Sequence, residues 1–372
     1  GTEMRKVIHV LTDNNIGGAG RWLLNLLRCL DRERWEAKIL LPEESLLRER
    51  VEELGYEALC VEGMRDASWD KGALVGMTTL FRAEKPDVVH IGASLTARIA
   101  ARHARVPALV VTKHCPEMPG GVLRRFGRGL IDRALTDQVI AVSQAVGRQM
   151  AAAGTPREKI AVIYNGIMPV PPYDGGAREA LRESLGFDRE HRWVGVAARL
   201  EEVKGVDLFL ASARRILETR DDVRFVVFGA GSQAEMLRHM AADLGDRVRF
   251  LGFCDEIEQA LGLLDAAVVP SRHEAFCLSA AEALSMGTPV AAFAVDGVGE
   301  VVRDGETGLL APAGDTDALA ERIGRLLDDP ALRLRLGEQG RELVLREFTA
   351  EAMTRKTQAL YDELLARKGK RA

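Results

Sequence analysis

The hydrophobic pattern consists of short apolar runs that alternate with longer segments of mixed polarity along the whole chain. The runs in the first half are KVIHVLT, EAKILLP, DVVHIG, ALVVTKH, QVIAVS and KIAVIYNG, and those in the second half are WVGVAARL, VRFVVFGAG, RVRFLGF, AAVVPS, TPVAAF and TGLLAP. Continuous apolar runs of this length are typical of strands buried on both faces of a parallel sheet covered by helices. The pattern therefore predicts an α/β fold of doubly wound parallel sheets.

One proline-rich segment divides this pattern into two similar halves. The segment MPVPPYDGGAREALRE, residues 168–183, contains three prolines and two glycines, which interrupt regular pairing. We expect a first domain over residues 1–168, a linker over 169–186 and a second domain over 187–349, with a C-terminal helix near 350–366 that packs back on the first domain. Two such sheets facing each other would place their ligand-binding strand ends along one central cleft.

Composition agrees with a soluble globular protein. The 372 residues are 47% apolar and 28% charged, and no stretch of about 18 uninterrupted apolar residues predicts a transmembrane span. The five cysteines are odd in number, scattered and without a CxxC pair, which favours free thiols in a reducing cytoplasm.

The net charge of −4 is unevenly distributed, and no nucleic-acid partner is expected. Residues 1–170 contain 24 Lys and Arg against 20 Asp and Glu, whereas the remainder contains 27 against 35. The basic bias of the first half favours an anionic partner there, although a solvated surface explains it equally well.

Two strand-end loops are candidate anion sites. In NNIGGAGRWLLNLL, Gly17, Gly18 and Gly20 would expose N–H groups at a helix start, or form an ordinary strand-to-helix turn. In AARLEEVKGVDLFL, Arg199 and Lys204 could neutralise a diphosphate, although loop charges are usually solvated.

The segment VFGAGSQAEML suggests a different ligand. Its Gly229-x-Gly231-x-x-Ala234 pattern matches the dinucleotide fingerprint, with Asp255 somewhat beyond the usual place of the ribose-binding acid. The match lies after the second strand of its domain rather than the first, so it is weak evidence for a nicotinamide-dependent dehydrogenase.

The segment HEAFCLSAAEAL places seven residues between two acids, Glu274 and Glu282. On a single helix they would lie about 12 Å apart and nearly a quarter turn out of line. They cannot act as a carboxylate pair, so we expect Glu274 in a loop and Glu282 on the following helix.

These motifs together resemble the glycosyltransferases of GT-B fold, specifically glycosyltransferase family four. The resemblance covers nearly the whole chain and includes the glycine loop, VIAVSQAV, IAVIYNGI, Arg199 with Lys204, VRFLGF, the spaced glutamates and DGETGLL. It implies two Rossmann-like domains facing a cleft and a retaining transfer of a sugar from a nucleoside-diphosphate sugar, most often a UDP-sugar, to an acceptor hydroxyl.

The resemblance also assigns roles to individual residues. Glu282 would accept hydrogen bonds from the ribose, and Glu274 would contact hydroxyls of the donor sugar. The other implied donor contacts are Arg199 and Lys204 at the diphosphate, Gly18 at the phosphates, Phe276, Cys277 and Leu278 through their backbone, Gly229, and Phe253, Cys254 and Glu256 at the nucleobase.

His114, at a strand end in the first domain, matches the family's active-site histidine and joins Arg199, Lys204 and Glu274 as catalytic candidates. A histidine there is more often structural, as we expect for His9 and His90. The chain departs from the family pattern at Ala275 and Cys277, where many members carry Gly, and at Gly20, where others carry Glu. The departures at positions 275 and 277 leave the identity of the donor sugar undecided. Gly20 lacks the polar side chain with which others could contact the acceptor.

The expected chemistry requires no metal and no cofactor, because no HxH, HExxH or clustered Asp motif is present. Fixed cations would stabilise the charge that develops on the leaving diphosphate while the acceptor attacks from the same face. Acceptors of this kind are glycans, lipid-linked sugars or small molecules of cell-surface polysaccharide or glycolipid synthesis. The alternatives are the dehydrogenase, a sugar-nucleotide epimerase and a catalytically silent binder.

The segment GGVLRRFGRGLIDRAL, residues 120–135, carries the candidate acceptor or membrane residues Arg124, Arg125 and Arg128. It could be a core-facing helix with a solvated basic side. It could also contact an anionic acceptor or the inner surface of the membrane, which would make a cytoplasmic protein peripheral.

Overall fold

The computed structural model describes residues 3–369 and divides them into two compact units. The first unit comprises the residues up to Gly166 together with those from Ala350 onward, and the second comprises Ile167–Thr349. Each unit contains a parallel sheet with helices on its crossover connections. The predicted α/β fold with two Rossmann-like sheets is confirmed.

Within its described residues, the first unit has seven strands in the order β3-β2-β1-β4-β5-β6-β7. All neighbouring strands are parallel. The strands are β1 (Arg5–Val10), β2 (Trp35–Leu40), β3 (Glu57–Leu59), β4 (Val88–Ile91), β5 (Ala108–Lys113), β6 (Gln138–Ala141) and β7 (Ile160–Val162). The helices between them are α1 (Gly18–Cys29), α2 (Leu47–Glu53), α3 (Lys71–Glu84), α4 (Leu95–His103), α5 (Val122–Leu135) and α6 (Gln144–Ala152).

The second unit is described in full, and its six parallel strands follow the order β10-β9-β8-β11-β12-β13. The strands are β8 (Arg192–Ala197), β9 (Val223–Phe228), β10 (Val248–Gly252), β11 (Ala266–Val269), β12 (Val290–Phe293) and β13 (Gly308–Ala311). The helices are α7 (Gly175–Leu185), α8 (Val206–Leu217), α9 (Ala234–Met240), α10 (Ile257–Leu261), α11 (Leu278–Ser285), α12 (Val298–Val301), α13 (Thr316–Asp328) and α14 (Pro330–Glu347).

The strand order reverses direction at one point in each sheet. In the first sheet β1 lies between β2 and β4, and in the second β8 lies between β9 and β11. At such a switch point the loops that leave neighbouring strands diverge, which opens a crevice beyond their carboxyl ends. The loops after β8 and β11 are therefore the place in the second unit where a ligand site is expected.

The predicted linker over 169–186 is wrong in part, because Gly175–Leu185 forms helix α7. Alanine, leucine, arginine and glutamate give this stretch high helix propensity, and Gly186 ends it with a left-handed φ of 72°. The preceding residues are also fixed to the second unit, since the Tyr173 N–H donates to Gln259 Oε1 at 2.9 Å. The boundary between the units lies at Gly166 and Ile167 rather than after the prolines.

The last helix, α15 (Ala350–Gly369), belongs to the first unit. Its Tyr361 is fully buried and its hydroxyl hydrogen-bonds His90 Nδ1. The next residue, Asp362, forms salt bridges with Arg5, the first residue of β1, and with Arg34, which precedes β2. The helix therefore completes the core of the first unit.

Two glycines allow helix α14 to pack closely behind α11. A Cβ at Gly337 would lie 2.0 Å from the Gly287 carbonyl oxygen, and a Cβ at Gly340 would lie 2.5 Å from Leu284 Cδ2. Only hydrogen fits at these positions unless α14 moves. The glycines thus fix the support of the helix that carries Glu282.

Substitution of Gly337 by alanine is expected to lower the free energy of unfolding by about 1–3 kcal/mol, because the new methyl group overlaps backbone atoms. This loss should appear although alanine is the better helix former by about 1 kcal/mol. Urea unfolding of Gly337→Ala, with Gly324→Ala in α13 as the matched control, tests it. A Cβ at Gly324 meets no described atom within 4 Å, so the control should be neutral or more stable. Equal shifts in the two variants would contradict this packing.

Candidate functional site

The two candidate glutamates lie on different elements, the placement that their spacing predicts. Glu274 lies in the loop between β11 and α11, and Glu282 lies within α11. Both are buried, with exposed fractions of 7% and 3%. The loop after β8 carries the cations, an exposed Arg199 and a partly buried Lys204.

An ion pair joins the two loops at the switch point. Lys204 Nζ lies 2.8 Å from Glu274 Oε1, and Ser271 Oγ donates to the same oxygen at 2.8 Å. A cation and a carboxylate therefore lie together where β8 and β11 end. Such a pair can bind anionic and hydroxyl groups of one ligand.

Asp296, in the loop between β12 and α12, holds the backbone of Glu274. Its Oδ2 accepts the Glu274 N–H at 2.9 Å and lies 3.2 Å from His273 Nδ1. In return, the Gly297 N–H donates to the Glu274 carbonyl at 3.1 Å. Asp296 has a φ of 41°, a conformation that costs a non-glycine residue energy and persists only where its surroundings impose it.

Arg272 fixes the other side of this loop. Its guanidinium donates to both carboxylate oxygens of Asp207, at 2.9 and 2.7 Å. The backbone N–H of Arg272 donates to the Val203 carbonyl at 2.8 Å. The hydrogen bond and charge of Arg272 lower the pKa of Asp207. The loops after β8 and β11 are thus joined on both sides of Lys204.

The glycines of the dinucleotide-like segment are required by packing. A Cβ at Gly229 would lie 1.9 Å from the Ala198 oxygen, and a Cβ at Gly231 would lie 2.5 Å from the Leu200 oxygen. Gly229 also has a φ of 127°. Both glycines therefore let the β9 loop press against the loop that carries Arg199, which accounts for the GxGxxA pattern without a dinucleotide.

The residues just before α11 pack into the protein. The Phe276 ring makes an edge-to-face contact with Phe348, with ring centroids 5.4 Å apart, and Leu278 begins the helix. Burial, with Glu274 nearby, raises the pKa of the Cys277 thiol to about 12. The side chains of Ala275 and Cys277, two of the departures from the family pattern, are themselves buried.

The segment after β10 is more open. The Phe253 side chain is 80% exposed, and burial raises the pKa of the partly buried Cys254 thiol. Glu256 Oε2 accepts the Tyr173 hydroxyl at 2.6 Å. An exposed aromatic ring is a surface that a nucleobase can contact.

In the first unit, α1 begins at Gly18 with Gly17 as its N-cap. A Cβ at either glycine would meet no described atom within 4 Å, whereas a Cβ at Gly20 would lie 3.1 Å from Leu47 Cδ2. The packing therefore leaves little room for a side chain at Gly20, whereas Gly17 and Gly18 border open space. Gly20 is buried, so its position offers no surface for an acceptor contact.

Three histidines and Trp22 form one aromatic cluster near the ends of β1, β4 and β5, in which His9, His90 and Trp22 are buried and His114 is partly buried. The Trp22 ring lies 5.0 Å from both His90 and His114, and His9 lies 5.1 Å from His90. His90 Nε2 also hydrogen-bonds the Thr112 hydroxyl, which agrees with the structural role expected of it. Neither His9 ring nitrogen nor His114 Nε2 has a hydrogen-bond partner among residues 3–369.

Burial keeps these rings neutral. It lowers the pKa of His9 from 6.5 to about 3, and together with Lys113 it lowers that of His114 to about 4. The pKa of His90 is lowered well below its ordinary value by burial and by the neighbouring histidines. At neutral pH His114 is therefore an uncharged hydrogen-bonding group.

The arginines of α5 do not form one cationic face. Arg124 and Arg125 are exposed, but Arg128 faces inward and forms a salt bridge with Glu117, with Asp132 3.7 Å away. The expectation that Arg128 shares the free basic surface is wrong, because buried acids attract it. The expectation of a core-facing helix is wrong as well, since α5 exposes its large apolar side chains.

The described residues contain neither a metal-binding cluster nor a membrane-spanning helix. Residues 3–369 contain no group of three or more His, Cys, Asp or Glu side chains placed to hold a metal ion. In the same range, every helix is too short or too polar to cross a membrane.

Sequence reasoning missed Ser271 and Asp296 as partners of the candidate glutamate. Both lie close to named motifs, and the Asp296–Gly297 pair is an ordinary turn signal. The contact of Asp296 with Glu274 follows from the adjacency of β11 and β12 in the sheet, and Ser271 lies three residues before Glu274 in the same loop. A turn signal predicts where the chain bends, but it does not predict which backbone N–H group donates to the aspartate side chain.

Two family profiles match adjacent parts of the chain. Residues 177–343 match the glycosyl transferases group 1, and residues 16–169 match Glycosyltransferase Family 4. Both profiles describe glycosyltransferases, and neither describes a dehydrogenase.

The chain is similar to characterised members of these groups. It is 30% identical to D-inositol 3-phosphate glycosyltransferase of Xylanimonas cellulosilytica over 364 residues, which cover 87% of each chain. It is 34% identical to phosphatidyl-myo-inositol mannosyltransferase of Mycobacterium leprae over 231 residues, 61% of this chain and 58% of that one. Four of its curated relatives, the mannosyltransferase among them, are matched over only 50–60% of their own length.

A solved structure confirms the architecture. The crystal structure of Anabaena HepE in complex with UDP and glucose superposes with a TM-score of 0.85 at 22% identity, covering 96% of this chain and all of HepE. The predicted GT-B fold is therefore confirmed.

The buried histidines predict how stability depends on pH. Each has a folded-state pKa below its unfolded value of about 6.5, so the unfolded state binds more protons as pH falls below 6.5, and stability is lost. Each fully buried ring contributes about 1.4 kcal/mol per pH unit below pH 6. Urea unfolding at pH 7 and pH 5 should show a large drop for the wild type and a smaller one for His9→Gln. An equal loss in the free energy of unfolding from pH 7 to pH 5 in the two proteins would contradict the neutral state of His9.

Proposed function

Because this chain belongs to the glycosyltransferases of group 1 and family 4, we propose that it is a retaining enzyme that uses a nucleoside-diphosphate sugar. It transfers the sugar, with UDP-sugars favoured, to a hydroxyl of a glycan, lipid-linked or small-molecule acceptor. The observation that carries this proposal is the Lys204–Glu274 ion pair beside Arg199 at the switch point of the second sheet.

The two members of the pair would bind different parts of the donor. Lys204 and Arg199 provide positive charge for the diphosphate, and Glu274 provides acceptor oxygens for the sugar hydroxyls. The backbone N–H groups of Phe276, Cys277 and Leu278 follow Glu274 and Ala275 in the chain. Since Ser271 and Asp296 already fix Glu274, it can bind a sugar with little loss of conformational freedom.

The chemical step would depend on charge that is fixed in advance. Cleavage of the sugar–phosphate bond leaves negative charge on the diphosphate, and Lys204 and Arg199 stabilise this charge without reorganisation. The acceptor hydroxyl attacks from the face that the diphosphate leaves, and a phosphate oxygen takes its proton. The anomeric configuration is then retained without a covalent intermediate.

A uridine nucleotide is favoured by the likeness to HepE, whose crystal structure contains UDP and glucose. Glu282 would accept hydrogen bonds from the ribose hydroxyls, with Gly229 close to the nucleotide. The exposed ring of Phe253, with Cys254 and Glu256, would contact the base.

The first unit would contribute the acceptor side. Gly18 leaves room at the start of α1 for a phosphate, and neutral His114 would hydrogen-bond the donor sugar or the incoming hydroxyl. Two relatives are named for glycosyl transfer to inositol compounds, one of them lipid-linked. They support a polyol or lipid-linked acceptor in cell-surface glycolipid or polysaccharide synthesis, on the cytoplasmic side of the membrane.

A panel of UDP-, GDP- and ADP-sugars in a thermal-shift assay tests the donor assignment, because ligand binding to the native state raises the unfolding temperature. UDP-sugars should give the largest shift, and Glu282→Gln should lose about tenfold or more in affinity with its lost charge-assisted hydrogen bonds. The exposed Glu338→Gln in α14 is the matched control and should bind as the wild type does. Equal shifts with all three nucleotides, or unchanged affinity in Glu282→Gln, would contradict the assignment. Donor converted without any acceptor would indicate an epimerase instead.

Lys204→Ala should lower kcat about 100- to 1,000-fold, because the lysine meets charge that grows in the transition state. The KM for the donor should rise by less than about tenfold, since Arg199 remains. Lys204→Arg should restore part of kcat, and the exposed Lys356→Ala should match the wild type. Steady-state kinetics that show a raised KM with unchanged kcat would assign Lys204 to ground-state binding only.

A further inference from the structure

Helix α5 of the first unit exposes its apolar face. Leu123 is 85% exposed and Phe126 is 65% exposed, and Val122 and Leu130 are exposed beside them. At 100° per residue these four side chains fall within an arc of about 100°, so they form one continuous stripe. Exposed stripes of this kind mark interaction surfaces.

Polar contacts on the opposite face hold the helix in this orientation. Asp132 is buried, and it accepts Arg98 Nη1 at 3.0 Å and the Thr155 hydroxyl at 2.7 Å. Arg128 Nη2 donates to the buried Glu117 at 3.0 Å. Turning the apolar stripe inward would expose these groups and separate their charges, so the stripe faces outward by construction of the fold.

Close backbone packing adds a second constraint. A Cβ at Gly129 would lie 3.1 Å from the Gly154 oxygen, and a Cβ at Gly154 would lie 2.2 Å from the Arg125 oxygen. The inner face of α5 is therefore made of small and charged residues, and its outer face is made of large apolar ones. This is the reverse of a helix that packs on a core.

The charge around the stripe is positive. Arg125 and Arg124 are exposed on either side of the stripe, about 60° and 100° around the helix from its edges, and the single acid of the helix, Asp132, faces inward. Met118, 73% exposed, extends the apolar surface ahead of the helix. The outer face thus combines apolar side chains with cations and presents no carboxylate of its own.

We propose that this outer face of α5, with Met118, docks on an anionic lipid bilayer. Leu123 and Phe126 enter the boundary between headgroups and acyl chains, while Arg124 and Arg125 extend to the lipid phosphates. A second copy of the chain fits less well, because a symmetric contact would bring the same arginines together. The inference goes beyond the proposed function, since it concerns where the enzyme works and not what it transfers.

Co-sedimentation of the full chain with vesicles tests the surface. Binding to phosphatidylglycerol–phosphatidylcholine vesicles should exceed binding to pure phosphatidylcholine at least tenfold and should weaken with salt. Leu123→Ser/Phe126→Ser should lose at least tenfold in binding, and Arg124→Ser/Arg125→Ser should lose the preference for anionic lipid. The matched control, Val75→Ser/Leu334→Ser, removes two equally exposed apolar side chains elsewhere and should bind as the wild type does.

A tryptophan reporter locates the contact directly. Fluorescence of Phe126→Trp should be quenched by lipids with brominated acyl chains beyond the quenching of the wild type, whereas Val75→Trp should not. Absence of vesicle binding, or equal binding by the α5 double mutant, would overturn the proposal. So would lipid-free self-association that the Leu123→Ser/Phe126→Ser variant abolishes, because a second copy would then cover the stripe.

These outcomes are separate from those for the donor. A protein that binds vesicles but shows no shift with any nucleotide sugar keeps the docking surface and loses the proposed function. A protein that shifts with UDP-sugars and ignores vesicles does the reverse.

Discussion

The contact between Gly205 and the carbonyl of Pro270 sets the separation of the two loops that carry the candidate site. A Cβ at position 205 would lie 2.0 Å from that oxygen, and the residue has a left-handed φ of 67°. Because the loops meet this closely, Lys204 in the loop after β8 reaches Glu274 in the loop after β11. Gly229 and Gly231 hold the loop after β9 against the loop after β8 in the same manner. Backbone proximity, which only glycine permits, is thus the condition for the charge arrangement.

The hydrophobic pattern was sufficient for most of the fold because buried parallel strands are apolar throughout their length. Each described strand except β3 coincides with a predicted run. Strand β3 has three residues, begins with a glutamate and lies at the edge of its sheet, so it carries no continuous apolar signal. Helix α7 was read as linker because the neighbouring prolines and glycines outweighed its helix-forming residues. The prolines and glycines therefore predicted the wrong boundary. Hydrogen bonds to Gln259 and Gly262 instead fix these residues to the second unit.

The site could be predicted only where the information is local. The spacing of Glu274 and Glu282 places them on separate elements, but the pairing of Glu274 with Lys204 and Asp296 depends on strand order. The orientation of α5 was also beyond the sequence, since its apolar residues are typical of a core helix. Its direction is decided by Asp132 and by distant partners, Arg98 and Thr155, that bind this buried carboxylate. Polar pairs between remote segments can outweigh a hydrophobic pattern.

The discontinuity of the first unit has a consequence for synthesis on the ribosome. Helix α15 supplies Tyr361 and Met353 to the core that also contains Trp35 and Leu23, yet it follows the whole second unit in the chain. The second unit has all its strands and helices once Thr349 has left the exit tunnel, whereas the first must wait for helix α15. Although its residues are made first, the first unit is the later of the two to close its core. In the interval the apolar surface that α15 covers is exposed, which makes the nascent first unit prone to aggregation.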